Sequence, residues 1–322
     1  MLDVRHEPGT HPSRLARGLS RELAYLPRGL PAQLREIEAD VLHCPAGLPT
    51  LRSPVPLVLT VNDAMPWCRP SWVGPLNLLH QRLVCGPGTR RAVRIIAPSA
   101  FSRAELVRHL GLPEERIAVV PYGVSAEFSP GAPDMAALER LGLRKPFLLS
   151  VGLIQPRKNL VTALRAFEAI ADRDPDHELV VVGGRGWRSG ASLRAVERSR
   201  HRDRVRLLGR VPDADLLALY RAARCLLFTS RYEGFGFPVL EAMACGTPVI
   251  ANAHGPAPEL LADGGLLVDV TDPAAVAAAI DAVLDVPRRA ELSAAAIEEA
   301  AVFTWERCAL ETAELYEDVA AT

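Results

Sequence analysis

The stretch SRYEGFGFPVLEAMACGTPVIA (residues 230–251) decides how the second half of this 322-residue chain folds. A glycine-rich segment leads into an apolar run with Pro238 in its first turn, where the fixed φ of proline suits the start of a helix. The TPVIA run after Gly246 is short and apolar, which is typical of a buried strand. The stretch therefore predicts a loop, a helix at 238–244 and a strand at 247–251.

Apolar runs alternate with amphipathic stretches on both sides of this segment. We predict strands at 147–152, 178–184, 205–209, 225–230, 247–251 and 265–269, and helices at 159–172, 213–223, 238–244, 273–285, 288–300 and 304–320. Regular alternation of strands and helices over some 150 residues predicts an α/β fold with a doubly wound parallel sheet.

The first part of the chain shows the same alternation less completely. It predicts strands at 40–45, 56–63, 94–99 and 117–123, and a helix at 102–111 that ends at Gly111. Residues 124–146 are rich in Pro, Gly and Ala and are interpreted as a linker. The opening 38 residues contain no glycine-rich turn between a strand and a helix. We expect the first domain to lack that element, through either a late start codon or a truncation.

Composition and charge exclude several classes of protein. The chain has 37 basic and 38 acidic side chains, a net charge of −1 and 49% hydrophobic residues, which is typical of a globular protein of two domains. A general nucleic-acid binder would need a basic excess, so no nucleic-acid partner is expected. Residues 1–130 carry a net charge of +4 and the rest −5. The basic part either meets an anionic acceptor or membrane surface, or is a solvated face.

The six cysteines show no C-x-x-C pairing, so neither zinc-ligand spacing nor a secreted disulfide framework is indicated. No apolar run reaches the roughly 18 residues that a membrane span needs, and the start does not resemble a signal peptide. We therefore expect a cytoplasmic protein.

Two carboxylates lie beside a predicted anion site. Glycines 234 and 236 let backbone amides approach a ligand closely, and the N-terminus of the following helix favours a phosphate. Glu233 and Glu241 suit neighbouring hydroxyls of a sugar and a ribose, because ionised carboxylates are hydrogen-bond acceptors. The alternative is that both are surface charges.

A second segment, VGLIQPRKNL (151–160), places Arg157 and Lys158 between a strand and a helix. The chain has only one other lysine, Lys145. Two adjacent cations at the carboxyl end of a strand can neutralise a diphosphate leaving group. The alternative is a solvated pair of charges in a turn.

Together these segments resemble the nucleotide-sugar glycosyltransferases of the GT-B fold, family 4, whose E-x7-E signature is matched by EGFGFPVLEAMACGTPVIA (233–251). The P-R-K-N form is similar to a mannosyltransferase-like branch. Further matching segments, in order, are DVLHCPAG, TVNDAMP, APSAFSRAEL, IAVVPYGVSAEF, VVGGRGW, LLGRVPDADLLALY and FTWERCALETAELY. The resemblance covers residues 28–318 and implies two Rossmann-like domains facing a cleft, the first of them truncated. It implies an acceptor-side domain at 1–130, a donor domain at 131–303 and a helix at 304–322 that crosses back.

The resemblance also implies roles for individual residues. Glu233 would hold hydroxyls of the donor sugar, Glu241 those of the ribose, and Lys158 with Arg157 the diphosphate. The implied catalytic set is Arg157, Lys158, Glu233 and Asp63, and the implied donor-binding set is Gly152, Val211, Gly234, Phe235, Gly236, Phe237, Val239 and Glu241. Amides around residues 235–237 would face the sugar and phosphates, and Val211 would contact the base through its main chain.

Two positions depart from the family pattern. Asn62 stands where the family usually has a histidine before the aspartate of T-x-H-D, and an amide cannot accept a proton as imidazole does. Leu153 stands where many members have an arginine, for which Arg157 can compensate.

The expected activity is retaining transfer of a sugar from a nucleoside diphosphate sugar to a saccharide, lipid-linked or small-molecule acceptor. GDP-mannose is the expected donor, ahead of UDP- and dTDP-sugars. No metal or other cofactor is expected, since no D-x-D pattern lies in the site, and peripheral contact with the inner membrane face is compatible with the basic first part. Alternatives are an inactive nucleotide-sugar-binding paralogue acting as a partner subunit or sensor, and, less favoured, an epimerase or phosphorylase. His43, His80 and His254 are interpreted as packing, capping or acceptor-cleft residues.

Overall fold

The computed structural model describes residues 29–45 and 52–321 and contains two parallel β-sheets. The first sheet has four strands in the order β1-β2-β3-β4, namely β1 Leu42–Cys44, β2 Leu57–Thr60, β3 Arg94–Ala97 and β4 Ile117–Val119. The second has six strands in the order β10-β9-β8-β5-β6-β7, namely β5 Phe147–Val151, β6 Glu178–Val182, β7 Val205–Gly209, β8 Leu226–Phe228, β9 Val249–Asn252 and β10 Gly265–Val268. The predicted α/β architecture with parallel sheets is confirmed.

Helices connect the strands. Around the first sheet they are α1 Leu30–Glu36, α2 Met65–Cys68, α3 Pro75–His80, α4 Gly86–Arg91 and α5 Ala100–Leu110. Around the second they are α6 Met135–Arg140, α7 Leu160–Ala171, α8 Gly190–Glu197, α9 Asp213–Ala222, α10 Phe237–Ala244, α11 Ala257–Leu261, α12 Pro273–Leu284 and α13 Val286–Ala300. Helix α14, Trp305–Ala320, is the last element.

The second sheet is buried on both faces, which explains its continuous apolar strands. Alternate residues point to opposite sides: Leu149 and Val180 belong to one core cluster, and Leu148 and Leu179 belong to the other. With both faces covered, the carboxyl edge of this sheet is the part left to form a site.

Helix α14 returns to the first sheet. Its Leu315 and Val319 pack with Val58, Ile96 and Val120 of the first sheet and its edge. The two sheets are thus joined by two passages of the chain, one before α6 and one before α14.

The region interpreted as a linker, 124–146, is corrected by the structure, because it contains α6. Asp134 caps this helix by accepting hydrogen bonds from the N–H groups of Ala136 and Ala137 at 2.9 and 3.1 Å. Leu138 then packs into the core of the second sheet. A proline-rich composition concealed a short capped helix.

The helix predicted at 102–111 begins earlier, at Ala100, because Ser99 accepts a hydrogen bond from the N–H of Ser102 and so caps it. The prediction that the first domain lacks a first strand and a glycine-rich loop falls mainly on residues 1–28, which lie outside the described residues. Within the described ranges, no helix is both long and apolar enough to cross a membrane.

Candidate active site

The loop after β8 carries Glu233 to the carboxyl edge of the second sheet. Gly236 has φ +155°, a conformation that favours glycine, and α10 starts at the next residue with Pro238 in its first turn. The predicted order of glycine loop, proline and helix is therefore present. The N-terminus of α10 thus lies a few residues after Glu233, where the positive end of the helix dipole favours an anion.

Arg157 and Lys158 lie in a single turn of 3₁₀ helix, 156–158, between β5 and α7. Asn159 ends this turn with φ +53° and donates a hydrogen bond from Nδ2 to the carbonyl of Val270 at 2.7 Å. The Thr229 hydroxyl, at the end of β8, lies 3.1 Å from the carbonyl of Lys158. Neighbouring elements thus fix the turn that presents both cations.

Both cations contact one carboxylate oxygen. Arg157 Nη1 lies 2.5 Å and Lys158 Nζ 2.6 Å from Oε1 of Glu233. The three side chains are only 22%, 15% and 14% exposed, so this is a largely desolvated cluster rather than a solvated pair in a turn. Arg157 and Lys158 precede Glu233 by 76 and 75 positions in the sequence, and the fold brings the three side chains together, as the resemblance implies.

Burial and charge act against each other on the pKa values of this cluster. Burial by itself raises the pKa of Glu233, but Lys158 and Arg157 lower it below its ordinary value. Burial lowers the pKa of Lys158, while Glu233 opposes that change. The cluster therefore holds a stable carboxylate between two cations.

Gly152 provides the space for the Lys158 side chain. Its φ is +138°, and a Cβ there would lie 3.1 Å from Cε and 3.2 Å from Nζ of Lys158. Nζ also lies 5.1 Å from the centre of the Phe228 ring, a cation–π contact. A small cavity opens beside this lysine, lined by residues at the ends of β5 and β8 that include Ser150, Gly152 and Ser230.

Glu241 lies one turn inside α10 and contacts a different group. Its Oε2 accepts a hydrogen bond from the Tyr220 hydroxyl at 2.8 Å. Burial raises the pKa of Glu241, and the hydrogen bond from Tyr220 partly opposes this. Tyr220 is fully buried, and sequence reasoning missed it because nothing in α9 distinguishes it from a core residue.

The apolar members of the predicted donor set face the core to different degrees. The Val239 side chain is completely buried, and the Val239 N–H donates to the carbonyl of Gly236 at 2.9 Å. The side chain therefore cannot contact a donor as it stands in this structure. Phe235 is buried, and Phe237 is 39% exposed and stacked on Tyr122. Val211 is half-buried against the core of the second sheet.

The first domain closes over this edge. Asp63 accepts a hydrogen bond from the N–H of Met65 at 2.8 Å, and it lies close enough to Arg157 and Glu233 for both to affect its pKa. Burial has the largest effect and raises that pKa. The Tyr122 hydroxyl donates to Oδ1 of Asn62 at 2.5 Å.

Several residues at this junction were not predicted. The Tyr232 hydroxyl accepts from the N–H of Ala64 at 3.2 Å, while its carbonyl accepts from Arg157 at the same distance. Ser99, Ser102 and Glu259 also link the domains. The Ser99 cap was readable from the sequence, whereas contacts between positions more than 100 residues apart were not.

A metal site was not predicted. In the parts of the chain that the structure describes, one group of three His, Cys, Asp or Glu side chains has donor atoms within 4.8 Å of one another, namely Cys68, Glu105 and His109. It contains none of the predicted donor-site residues. His43 bonds Thr60 Oγ1 at 2.8 Å and the Tyr316 hydroxyl of α14.

Two family models match the chain. The model described as glycosyl transferases group 1 matches residues 137–302, and the one described as glycosyltransferase family 4 matches residues 3–128. The first covers the second sheet with Arg157, Lys158, Glu233 and Glu241.

Two curated relatives are similar in sequence. The O-antigen chain mannosyltransferase B of Escherichia coli is 35% identical over 227 residues, 69% of this chain and 60% of that protein. A D-inositol 3-phosphate glycosyltransferase of Streptomyces scabiei is 37% identical over 241 residues, 70% of this chain and 54% of that protein. The chain thus spans little more than half the length of these relatives.

Solved structures are similar in fold. Sucrose-phosphate synthase from Thermosynechococcus elongatus has a TM-score of 0.77 and 25% identity, covering 98% of this chain and 82% of that one. HepE from Anabaena in complex with UDP-glucose has a TM-score of 0.71 and 23% identity, covering 82% of this chain and 72% of that one.

Proposed function

Because the chain belongs to the glycosyl transferases group 1 family and has the GT-B fold, we propose that it transfers a sugar from a nucleoside diphosphate sugar to an acceptor, with retention at the anomeric carbon. The observation that carries this proposal is the buried cluster of Arg157, Lys158 and Glu233 at the carboxyl edge of the second sheet. Ligands of parallel α/β folds bind at this edge.

The cluster suits a donor with a diphosphate. A pyrophosphate would compete with Glu233 for Arg157 and Lys158, because it carries more negative charge than one carboxylate. Glu233 would then no longer be paired with both cations, and its carboxylate could accept hydrogen bonds from hydroxyls of the donor sugar. Amides at the N-terminus of α10 would face the remaining phosphate oxygens.

In the proposed step, a bond forms between the acceptor oxygen and the anomeric carbon while the bond from that carbon to the phosphate oxygen breaks. The acceptor proton passes to the leaving β-phosphate, so no side chain has to be a strong base. The chief demand is stabilisation of the charge on the leaving diphosphate, which Arg157, Lys158 and helix amides meet. We accordingly propose that the step needs no metal, and a chelator such as EDTA should leave the rate unchanged.

The identity of the donor is part of the same proposal. Glu241 would bind the ribose hydroxyls, Val211 would contact the base through its main chain, and mannose is the favoured sugar. The Escherichia coli relative is an O-antigen chain mannosyltransferase, which supports mannose, whereas the HepE structures with UDP and UDP-glucose support a uridine nucleotide.

The acceptor is proposed to bind on the first-domain side of the cleft. Saccharide, lipid-linked and small-molecule acceptors all suit the family, and the names of the relatives include both an O-antigen chain and an inositol phosphate. The +4 charge of residues 1–130 is compatible with an anionic acceptor or with peripheral contact at the inner membrane face of the cell.

One observation favours a second candidate, a nucleotide-sugar-binding paralogue that does not transfer. Asn62 replaces the histidine of the family pattern, and Tyr122 already occupies its Oδ1. This candidate predicts donor binding without any release of nucleoside diphosphate.

The test is calorimetry with GDP-mannose, UDP-glucose and a dTDP-sugar, followed by single-turnover assays with the donor that binds. The proposal expects binding by wild type, release of the nucleoside diphosphate, and a product with the anomeric configuration of the donor. No binding of any of these nucleotide sugars, or wild-type rates in both Lys158→Ala and Glu233→Ala, would overturn it.

A further inference from the structure

The start of α5, in the first domain, contacts the glycine next to Glu233 in the second. Ser99 Oγ donates to the carbonyl of Gly234 at 2.7 Å. Ser102 Oγ lies 2.8 Å from the same carbonyl and 2.7 Å from the carbonyl of Asn62. Ser99 and Ser102 are only 3% and 0% exposed, so water does not compete for these bonds.

The hydroxyl protons can satisfy this arrangement. Ser99 accepts from the N–H of Ser102 at 3.0 Å, which leaves its single proton for Gly234. Ser102 has one proton and two carbonyls within reach, one in each domain. Since a buried hydroxyl or carbonyl without a partner is costly, the bond from Ser99 to Gly234 favours the state in which the domains touch, and Ser102 offers the same carbonyl a second donor.

Glu259 of α11 makes the reciprocal contact from the second domain. Its Oε2 accepts from the N–H of Ala100 and its Oε1 from the N–H of Phe101, both at 2.7 Å. These are the first two residues of an eleven-residue helix, where unpaired N–H groups and the helix dipole favour a negative charge. One carboxylate therefore replaces the water that would solvate this helix end when the domains separate.

We infer that Ser99, Ser102 and Glu259 form an interdomain clamp whose role is to position Glu233. This inference rests on the proposed function. The clamped carbonyl belongs to the residue directly after Glu233, so the two serines fix the backbone from which that carboxylate projects. Glu259 adds a charged contact that keeps the N-terminus of α5 beside the loop that carries Glu233.

The clamp residues are positioning residues. Ser99, Ser102 and Glu259 contact backbone groups of the opposite domain, and the Arg157–Lys158–Glu233 cluster is assembled within the second domain. Loss of the clamp therefore leaves donor affinity close to that of wild type and lowers the rate of the chemical step, because the reacting groups are held less tightly. Because a loss of folded enzyme also lowers the apparent kcat at constant KM, kcat is normalised to the folded fraction measured by circular dichroism, and a lower kcat per folded molecule identifies the positioning role.

The first test uses the free chain and needs no substrate. Amide hydrogen exchange is measured over 99–104 and 233–237 in wild type, in the double variant Ser99→Ala/Ser102→Ala, and in Glu259→Ala. Glu259→Ala should exchange at least tenfold faster in both segments, and the double serine variant should do so in 233–237, where loss of the Ser99 helix cap has no direct effect.

Two matched control variants each remove a contact that lies within the second domain and does not join the two domains. Ser293→Ala removes a serine hydroxyl that donates to the carbonyl of Gly246 at 2.6 Å, inside the second domain. Glu291→Ala removes an exposed carboxylate paired with Arg288. Neither should alter exchange in the two segments, and equal exchange in wild type, clamp variants and controls would overturn the inference.

The second test separates this inference from the proposed function. With GDP-mannose or UDP-glucose, whichever binds, the double serine variant should keep its dissociation constant within about twofold and lose about tenfold in kcat. A wild-type chain that binds none of GDP-mannose, UDP-glucose and the dTDP-sugar contradicts the proposed function. A wild-type chain that binds and turns over one of them, with an unchanged kcat in both clamp variants, contradicts the clamp alone.

Discussion

Gly234 approaches the carbonyl of Asn62 so closely that a Cβ on the glycine would lie 1.9 Å from that oxygen and 2.7 Å from its carbon. Both atoms belong to the backbone, so neither can rotate away. Gly234→Ala should therefore force the domains apart, increase the radius of gyration in solution scattering and lower kcat at least tenfold.

The control for this change is Gly74→Ala, since Gly74 has no atom within 4 Å of its added Cβ and an ordinary φ of −65°. It should leave both the scattering curve and the rate as in wild type. A Gly234→Ala chain with wild-type dimensions and rate would show that the two domains do not meet as described.

The two lysines of the chain provide a matched pair of substitutions. Lys158→Ala removes a buried cation from the proposed diphosphate site and should lower single-turnover transfer by about 10²–10³-fold. Lys145 is exposed, and its Nζ lies 3.5 Å from the carbonyl of Pro175, so Lys145→Ala should retain the wild-type rate. Equal rates in the two variants would remove Lys158 from the mechanism.

Tyr220→Phe should change the pH dependence of donor binding. Burial raises the pKa of Glu241 and the Tyr220 hydroxyl opposes this, so removing the hydroxyl should raise that pKa further. Binding through the carboxylate is lost as the pH falls through this pKa. The acid limb of calorimetric affinity should therefore move to higher pH in the variant, whereas Tyr316→Phe, beside the first sheet, should leave it in place.

His43 should make the first domain sensitive to acid. Burial lowers its pKa to about 4 from an ordinary value of 6.5, so the unfolded chain takes up the proton first as the pH falls. The free energy of unfolding should decrease between pH 6.5 and 4, by about 1–2 kcal/mol after allowing for partial exposure, and this contribution should level off below pH 4.

Denaturant titrations across this range measure the effect. His43→Gln should flatten the dependence, while the exposed His254→Gln should follow wild type. A steeper loss of stability in His43→Gln than in wild type would contradict the assignment.

Local patterns were sufficient for the second sheet because its six strands are short apolar runs with helices between them. The Arg157–Lys158–Glu233 cluster could also be predicted from the sequence, because the carboxyl ends of neighbouring parallel strands lie at the same edge of the sheet. Helix α6 was missed because Pro and Gly dominate its surroundings, and its stability comes from the cap at Asp134 and the burial of Leu138. Tyr220, Tyr232 and Glu259 depend on partners far along the sequence, which no local spacing reveals.

The two passages between the sheets lie side by side, because the N–H of Val124 donates to the carbonyl of Phe303 at 3.0 Å and Gly123 leaves no room for a Cβ beside Trp305. Two adjacent connections allow the domains to rotate about a common hinge axis, and they oppose sliding of one domain along the other. Opening of the cleft should accordingly be a rotation that leaves Tyr122 and Trp305 in contact, while the opposite side of the cleft moves furthest.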